Sequence, residues 1–203
     1  MKKIFVILLF LVCIFQYGTK ADDNVVGDFE IEGIVLKESL LNYFKNEDIE
    51  IKKKNGFIYP NKDFYSATFI NSKFEQYDRV QFHLKANDKK YIIYSISGQI
   101  MYENNISKCY TDMDAILSEI KKVFESPKVF DYGISDHEID KTGNSKVKTF
   151  FVDLKAEKSV EKAVLIECYD WSKEHEKKGR RDLLSISIDS DEFEYWINNK
   201  AFN

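Results

Sequence analysis

Two cysteines have the chemistry that the sequence predicts most directly. Cys109 lies on the apolar side of a helical pattern, and Cys168 alternates with Val164 and Ile166 on the apolar side of a strand pattern. If the helix packs on the sheet, both sulfur atoms enter the same layer. Removal of an N-terminal leader that contains Cys13, the third cysteine, leaves an even count, which favours a disulfide in an oxidising compartment. Two buried free thiols are the alternative, because cysteine is a common small apolar core residue. No Cys-x-x-Cys pair suggests a redox or metal role.

Two short polar segments each combine a histidine with carboxylates and could bind a divalent metal if they converged. One is the Asp-His-Glu run around His137, and the other is the Glu-His-Glu run around His175. Imidazole and carboxylate ligands suit zinc, but neither run has the His-Glu-x-x-His spacing that places two ligands on one helix face. Charged loops of this kind are usually solvated, so no metal or cofactor is assigned. His83 is expected to be solvated on the polar side of a strand.

The run Lys-Lys-Gly-Arg-Arg at 177–181 is the only dense basic patch in the sequence, and it includes Arg180 and Arg181. We interpret it as a solvated hairpin tip. Tyr169 and Trp171 stand just before it, and exposed aromatic rings beside a basic tip would form a modest recognition surface. If a helix covers the two rings, they belong to the core instead.

The serines do not form a recognisable nucleophile motif. Ser95, Ser97, Ser185 and Ser187 lie on the alternate side of strand patterns, where serine is an ordinary solvent-side residue, and none is part of Gly-x-Ser-x-Gly. The sequence also lacks a glycine-rich phosphate loop. We therefore predict no catalytic residue and favour a protein that is not an enzyme.

The first 21 residues have the layout of a secretory signal peptide. Lys2 and Lys3 precede an unbroken apolar run at 4–15, and Thr-Lys-Ala at 19–21 places small residues at the cleavage positions. A membrane-spanning helix needs about 20 apolar residues, so the run is too short, and no later segment comes close. We predict cleavage after Ala21 and export to the periplasm or the medium, with an uncleaved N-terminal anchor as the alternative.

The charge of the mature chain limits its partners. The leader carries three of the 30 basic residues and no acid, which leaves 27 basic against 34 acidic residues and a net charge of −7. An acidic domain repels phosphate backbones, so nucleic acid is not an expected partner.

The hydrophobic pattern predicts one α+β domain over residues 22–203. Helical spacing predicts helices at 37–46, 106–125 and 190–198, and alternation predicts strands at 63–70, 78–86, 90–102, 147–154, 160–171 and 183–189. Short turns between strands favour antiparallel pairing, with the helices on one face of the sheet. The order α-β-β-β-α-β-β-β-α is compatible with an internal duplication.

Several local features complete this prediction. Residues 126–146 are expected to form a long connection, and the pattern at 47–54 does not decide between helix and strand. Ser107 is the expected N-cap of the second helix. Gly98 is expected to mark a bulge or a bend in its strand.

Four short motifs resemble those of a group of small exported proteins of unknown function from AT-rich bacteria. They are Ile-Glu-Gly-Ile at 31–34, Glu-Ser-Leu-Leu-Asn-Tyr-Phe at 38–44, Ile-Ile-Tyr-Ser-Ile-Ser-Gly at 92–98, and Cys-Tyr-Asp-Trp-Ser at 168–172. The chain departs from that group at 36–39, where Leu-Lys-Glu-Ser replaces a Gly-Asp-Ser version. The resemblance implies an exported α+β domain and no established activity. A more distant likeness to helix-plus-sheet modules of the β-lactamase-inhibitor type concerns the fold alone.

The sequence thus predicts an exported, non-catalytic module that binds a protein, a peptide or an envelope component. The alternative is a hydrolase or a metal-dependent enzyme built from the loops around His137 and His175.

Overall fold

The computed structural model describes residues 30–71, 73–103, 105–124, 127–154 and 163–202, so the predicted signal peptide at 1–21 lies outside the described residues. The helices are α1 (Asn46–Lys54), α2 (Ile106–Val123), α3 (Lys173–Lys177) and α4 (Asp191–Asn199). The strands are β1 (Phe64–Phe69), β2 (Arg79–Lys85), β3 (Ile93–Met101), β4 (Lys128–Asp136), β5 (Lys146–Asp153), β6 (Ala163–Asp170) and β7 (Leu183–Asp189).

The seven strands form one antiparallel sheet in the order β1-β2-β3-β7-β6-β5-β4. Chain neighbours pair throughout, except that α2 carries the chain from β3 to the far edge at β4. β7 then returns to pair with β3 at the middle of the sheet. The arrangement confirms the predicted α+β class, and strands appear where the sequence predicts all six. Because three strands precede α2 and four follow it, the two halves do not share one element order.

One face of the sheet is apolar because successive side chains along a strand point to opposite faces. Two cross-strand rows form this face: Ala67, Phe82, Ile96, Ile188, Val164 and Val152, and beside them Phe69, Val80, Gly98, Ile186, Ile166 and Phe150. All of them except Gly98 belong to the main core. Complete burial of a side chain the size of isoleucine or phenylalanine contributes about 1.5–3 kcal/mol, so this face accounts for much of the drive to fold.

Helices α1 and α2 cover the apolar face. Cys109, Met113 and Ile120 recur at helical spacing and are all buried, which gives α2 its inward stripe. Asn105, and not Ser107, is the N-cap of α2, because its side chain accepts a hydrogen bond from the Lys108 amide. Asn105 lies one turn before the apolar stripe begins, where its side chain can reach that free amide.

The disulfide predicted from the two faces is present. Cys109 and Cys168 are bonded, their Cα atoms lie 6.0 Å apart, and both residues are fully buried. The bond joins the first turns of α2 to β6. It lies in the layer between the helix and the sheet, where the sequence pattern predicted both sulfur atoms. It closes a loop of 59 residues, which fixes the central helix to the second half of the sheet.

The prediction of a helix at 37–46 was wrong. Lys37 has a φ of +67°, which a right-handed helix does not accommodate, and its amide donates to the Ile93 carbonyl oxygen. The Leu40 amide donates in the same way to the Tyr91 carbonyl oxygen, so this segment follows the start of β3. Only Leu40–Asn42 forms a 3₁₀ turn, and the helix itself begins at Asn46.

The predicted long connection at 126–146 was also wrong, because it contains β4. This strand forms an edge of the sheet, and Phe130, Tyr132 and Ile134 are about half exposed or more, with 46, 65 and 58% of their surface accessible. The pairing with β5 shifts register next to Gly133, whose φ is +66°. An exposed, bulged edge strand lacks the buried alternation by which strands are recognised in a sequence.

Gly98 does not mark a bulge in β3. The register shift between β2 and β3 falls between His83 and Leu84 instead. Gly98 lies on the apolar face beneath Tyr77, and a Cβ atom there would come within 2.5 Å of the Tyr77 ring. Glycine is needed at this position because an aromatic ring lies directly against the backbone.

Removal of the Cys109–Cys168 bond should destabilise the protein without changing its fold. For a loop of this length the chain-entropy model gives a loss of up to about 4 kcal/mol in the free energy of unfolding. Guanidinium denaturation of the C109S/C168S variant measures that loss, and the wild-type protein under reducing conditions is the matched control. An unchanged midpoint, or an oxidised wild-type mass that is not two hydrogens below the reduced mass, would contradict the bond.

Candidate functional site

The face of the sheet opposite α1 and α2 carries hydrogen-bonding side chains, and we call it the polar face. It comprises Gln81 and His83 of β2, Ser95, Ser97 and Gln99 of β3, Glu167 and Tyr169 of β6, and Ser185, Ser187 and Asp189 of β7. All belong to strands that lie side by side in the sheet. The strict alternation of the strands that builds the apolar core therefore also gathers these polar groups on one surface.

Helix α4 covers one corner of the polar face. Ser190 caps the helix by accepting a hydrogen bond from the Phe193 amide, which starts α4 directly after β7. The rings of Phe193 and Trp196 then pack against Phe64 of β1 and form a second, smaller core. We expected all helices to lie on one face of the sheet, and this prediction was wrong for α4. The short link after β7 places α4 on the polar face.

His83 is buried beneath this helix, so the expectation that it is solvated was wrong. Its ring stacks on Phe193 with centroids 4.5 Å apart, and only 8% of the residue is exposed. Burial removes water from the charged imidazole and lowers the pKa of His83 to about 3. The histidine is neutral at physiological pH, and each ring nitrogen has a hydrogen-bond partner.

Hydrogen bonds connect three residues on this corner. The Tyr59 hydroxyl lies 2.9 Å from Nε2 of His83, and Nδ1 of His83 lies 3.1 Å from Oγ of Ser95. The Ser95 hydroxyl also lies across the strand pair from Asp189 and lowers the pKa of that acid.

The Asp189 carboxylate beside Ser95 is incompletely satisfied. Its Oδ1 atom is buried and has no hydrogen-bond partner. Burial, with a smaller effect of the negative charges of Glu194 and Glu167, outweighs the opposing effect of Ser95 and raises the pKa of Asp189 to about 6. A buried acceptor without a donor costs about 1–3 kcal/mol, so Asp189 is retained at a cost to the stability of the fold.

Glu167 is the second carboxylate of the polar face, and it does have partners. The Tyr169 hydroxyl donates to Glu167 Oε2 at 2.5 Å, and Oγ1 of Thr149 lies 3.4 Å from Oε1. Burial raises the pKa of Glu167, and burial together with the Glu167 charge raises the pKa of Tyr169. Negative charge is thus present on both β6 and β7 of the same surface.

The serines of the polar face are not arranged as nucleophiles. A catalytic serine donates its hydroxyl proton to a histidine. The His83 ring beside Ser95 has the Tyr59 hydroxyl at its other nitrogen, where a catalytic triad has a carboxylate. The hydroxyls of Ser97 and Ser185 hydrogen bond to each other at 2.9 Å. Ser95, Ser97 and Ser185 are buried, so their hydroxyl groups bond to neighbouring side chains of the protein.

Five of the residues selected from the sequence do converge, at the other end of the sheet from α4. Around the Trp171 ring, the ring centroids of His137, His175 and Tyr169 lie 4.3, 5.5 and 6.0 Å away. The Arg180 guanidinium lies over the same ring at 4.3 Å. Only 6% of Trp171 is exposed, so this group, which we call the Trp171 cluster, packs as a core and joins the loop after β4 to the connection between β6 and β7.

The Trp171 cluster does not form a metal centre in the part of the chain that the structure describes, where no group of three metal-ligating side chains occurs. His175 Nε2 lies 3.8 Å from Asp140, but that carboxylate is already used by Thr142 and Ser145, whose hydrogen bonds hold the pKa of Asp140 far below its usual range. Burial, and then the Arg180 charge, lower the pKa of His137. The segments around His137 and His175 lie close together because both histidines pack against the Trp171 ring. In the described residues they do not form a common metal site.

The basic run at 177–181 lies in the connection between β6 and β7, but it is not a simple hairpin tip. Helix α3 occupies part of that connection, and Gly179 follows it with a φ of +94°. Arg181 does not join the Trp171 cluster, because its guanidinium donates to the carbonyl oxygens of Glu176 and Arg180. The basic run therefore contains the end of α3, and its Arg180 is the cation that packs in the Trp171 cluster.

The chain matches no known family model, no curated protein and no solved structure. The resemblance drawn from short motifs and the more distant likeness in fold therefore remain expectations. Within the described ranges, no helix combines the length and the apolar character that crossing a membrane requires.

Sequence reasoning did not select Asp189 or Glu167. The signal was present, because Asp189 continues the alternate positions of Ser185 and Ser187, and Glu167 precedes Tyr169 by two residues. Such acids look like ordinary solvent-side residues until the neighbouring strands are known. Their burial depends on which strands pair and on where α4 packs, and neither can be read from local spacing.

The variant Asp189→Asn should be more stable than the wild type at pH 8 and similar to it at pH 4. The folded-state pKa of about 6 exceeds the ordinary value of 3.8, so the folded protein binds more protons between these values and loses stability as the pH rises through them. Removal of the charge should recover up to about 3 kcal/mol above that window. Chemical denaturation across this pH range gives the difference, and Glu103→Gln, at an exposed turn, is the control. A variant that is less stable at pH 8 would contradict this assignment.

Proposed function

We propose that the protein is an exported, non-catalytic binding module whose partner, a protein, a peptide or an envelope component, contacts the polar face. The observation that carries this proposal is the buried Oδ1 atom of Asp189, which has no hydrogen-bond donor. The fold does not need a carboxylate there, because the main core lies on the other face. Residues that are retained at a cost to stability are frequent at functional sites.

The less buried part of the polar face supports a binding role. Ser97, Gln99 and Ser185 are buried. Gln81 of β2 and Glu167 and Tyr169 of β6 are half-buried, and the sheet backbone holds them in fixed positions. Groups fixed on a rigid sheet lose little conformational entropy when a partner binds. The Tyr59 hydroxyl bonds His83 where a catalytic triad has a carboxylate, which favours binding over acyl transfer.

Two further features support export. The leader pattern at 1–21 is that of a cleavable signal, and the Cys109–Cys168 bond is of a kind that persists in oxidising compartments. A disulfide that ties the central helix to the sheet suits a small domain that functions outside the cytosol. We therefore place the binding function in the envelope or the medium.

Photocrosslinking in the organism that makes the protein tests this function. Phe151 lies on the polar side of β5 opposite Leu165, and Tyr110 is an aromatic residue of similar, partial burial on α2. We expect benzoylphenylalanine at position 151 to crosslink a discrete partner and the same residue at position 110 to crosslink none. The crosslinked protein should begin at Asp22.

Equal crosslinking from both positions, or none from position 151, would count against the polar face as the binding surface. Recovery of the protein in the cytosol with Met1 still attached would contradict export. The Tyr110 variant serves as the matched control because it changes the side chain in the same way on the opposite side of the molecule.

A further inference from the structure

We infer that two copies of the protein form a symmetric dimer in which their β4 strands pair edge to edge and antiparallel. This inference goes beyond the proposed binding function. β4 is the last strand of the sheet, and among the described residues it pairs only with β5. The backbone N–H and C=O groups on its outer side therefore form a row of donors and acceptors that another strand can satisfy.

The two edges of the sheet differ in how they are covered. At the opposite edge, Ile58 forms an antiparallel bridge with Tyr65, so the chain before β1 lies along part of that strand. β4 instead exposes the side chains of Phe130, Tyr132 and Ile134. Lysines on an edge strand oppose pairing, and β4 has none after its first position. The β4 edge therefore favours contact with another strand.

The bulge in β4 determines the registers that two copies can adopt. Because of the extra residue between Asp131 and Gly133, the alternation of side chains reverses there. Val129 and Ile134 consequently both lie on the apolar face, and Phe130 and Gly133 both lie on the polar face. Opposite residues of an antiparallel pair share a face, and a two-fold axis normal to the sheet preserves the faces. Residues before the bulge in one copy therefore pair with residues after the bulge in the other.

The side chains of β4 are self-complementary in one such register. Val129 lies opposite Ile134 of the second copy on the apolar face, and Phe130 lies opposite Gly133 of the second copy on the polar face. A Cβ atom at Gly133 would have no atom within 4 Å, so the space above this glycine is open to the Phe130 ring of the other copy. Aromatic residues placed across from edge glycines stabilise strand pairing. The two-fold axis repeats both contacts.

Charge is compatible with this register. Lys128 lies opposite Ser135 of the second copy, and Asp131 lies opposite Tyr132, so no like charges are directly opposed. The Asp131 carboxylate already accepts a hydrogen bond from the Gly133 amide of its own strand.

The next register that keeps the faces matched is less favourable. It places Val129 opposite Asp136 and Phe130 opposite Ser135, and both apolar contacts are lost.

The paired edges should form a reversible dimer. β4 has nine residues, and a single pair of strands of this length covers less area than the interfaces of about 1,600 Å² that hold stable complexes together. The two-fold axis places the polar faces of both copies on the same side of one continuous sheet. The dimer therefore presents two copies of the polar face side by side.

Sedimentation velocity of the exported protein, from micromolar to near-millimolar concentration, tests the dimer. We expect the average mass to rise with concentration toward twice that of the monomer. Ile134→Lys should weaken the association about tenfold or more, because it replaces an apolar cross-strand contact that occurs twice. Ile70→Lys is the matched control, because Ile70 is an exposed isoleucine that follows β1 at the opposite edge, and it should leave the association unchanged.

Nitroxide labels test the position of the two-fold axis. Tyr132 and Tyr195 are similarly exposed, at 65 and 60%, so each can be replaced by a labelled cysteine. Opposite Cα atoms in paired strands lie about 5 Å apart, so labels in Tyr132→Cys should broaden each other's spectra at high concentration. Labels in Tyr195→Cys, on α4, should not.

A monomer mass at every concentration would overturn the inference. A dimer that Ile134→Lys leaves intact, or that Ile70→Lys weakens equally, would place the contact away from the β4 edge and refute it as well. Spectral broadening from position 195 without broadening from position 132 would have the same meaning. None of these results bears on the polar face as a binding surface, which the crosslinking experiment tests separately.

Discussion

The packing of α2 against one face of the sheet is the constraint on which the rest of the structure depends. The apolar rows centred on Ile96 and Ile186 need a cover, and α2 supplies it with a stripe that includes Met113. The Cys109–Cys168 bond fixes this contact covalently. Because strand side chains alternate, the same packing determines which residues lie on the other face, and it leaves that face free of the demands of the main core.

The polar face therefore results from the formation of the core on the other side of the sheet, and its side chains are mainly hydrogen-bonding groups. Helix α4 buries one corner of it and, through Phe193, excludes water from His83. The low dielectric there strengthens the hydrogen bonds of His83, and it increases the cost of leaving one oxygen of Asp189 without a donor. At the far end of the sheet, Trp171 and Arg180 pack against each other in the same way, within a buried cluster.

Much of the fold, but little of the site, could be predicted from the sequence. Strong periodicity identified α2 and β7, and the shared apolar sides of Cys109 and Cys168 predicted their bond. Weak periodicity failed at β4, an exposed edge strand. Local reasoning also treated His83 as solvated, because its burial results from α4 packing on a distant part of the chain. Asp189 was missed for the same reason, since alternation gives the face of a side chain but not what covers that face.

The ionisation of Asp189 is the quantity that tests this account most directly. A pH titration of the wild-type protein, followed by ¹³C NMR of the aspartate carboxyl carbons, measures it without any ligand or variant. The account predicts a midpoint of about 6 for Asp189, well above that of an exposed aspartate. A midpoint below 4 would mean that the carboxylate is solvated or already paired, and it would contradict the unsatisfied acceptor on which the proposed binding surface rests.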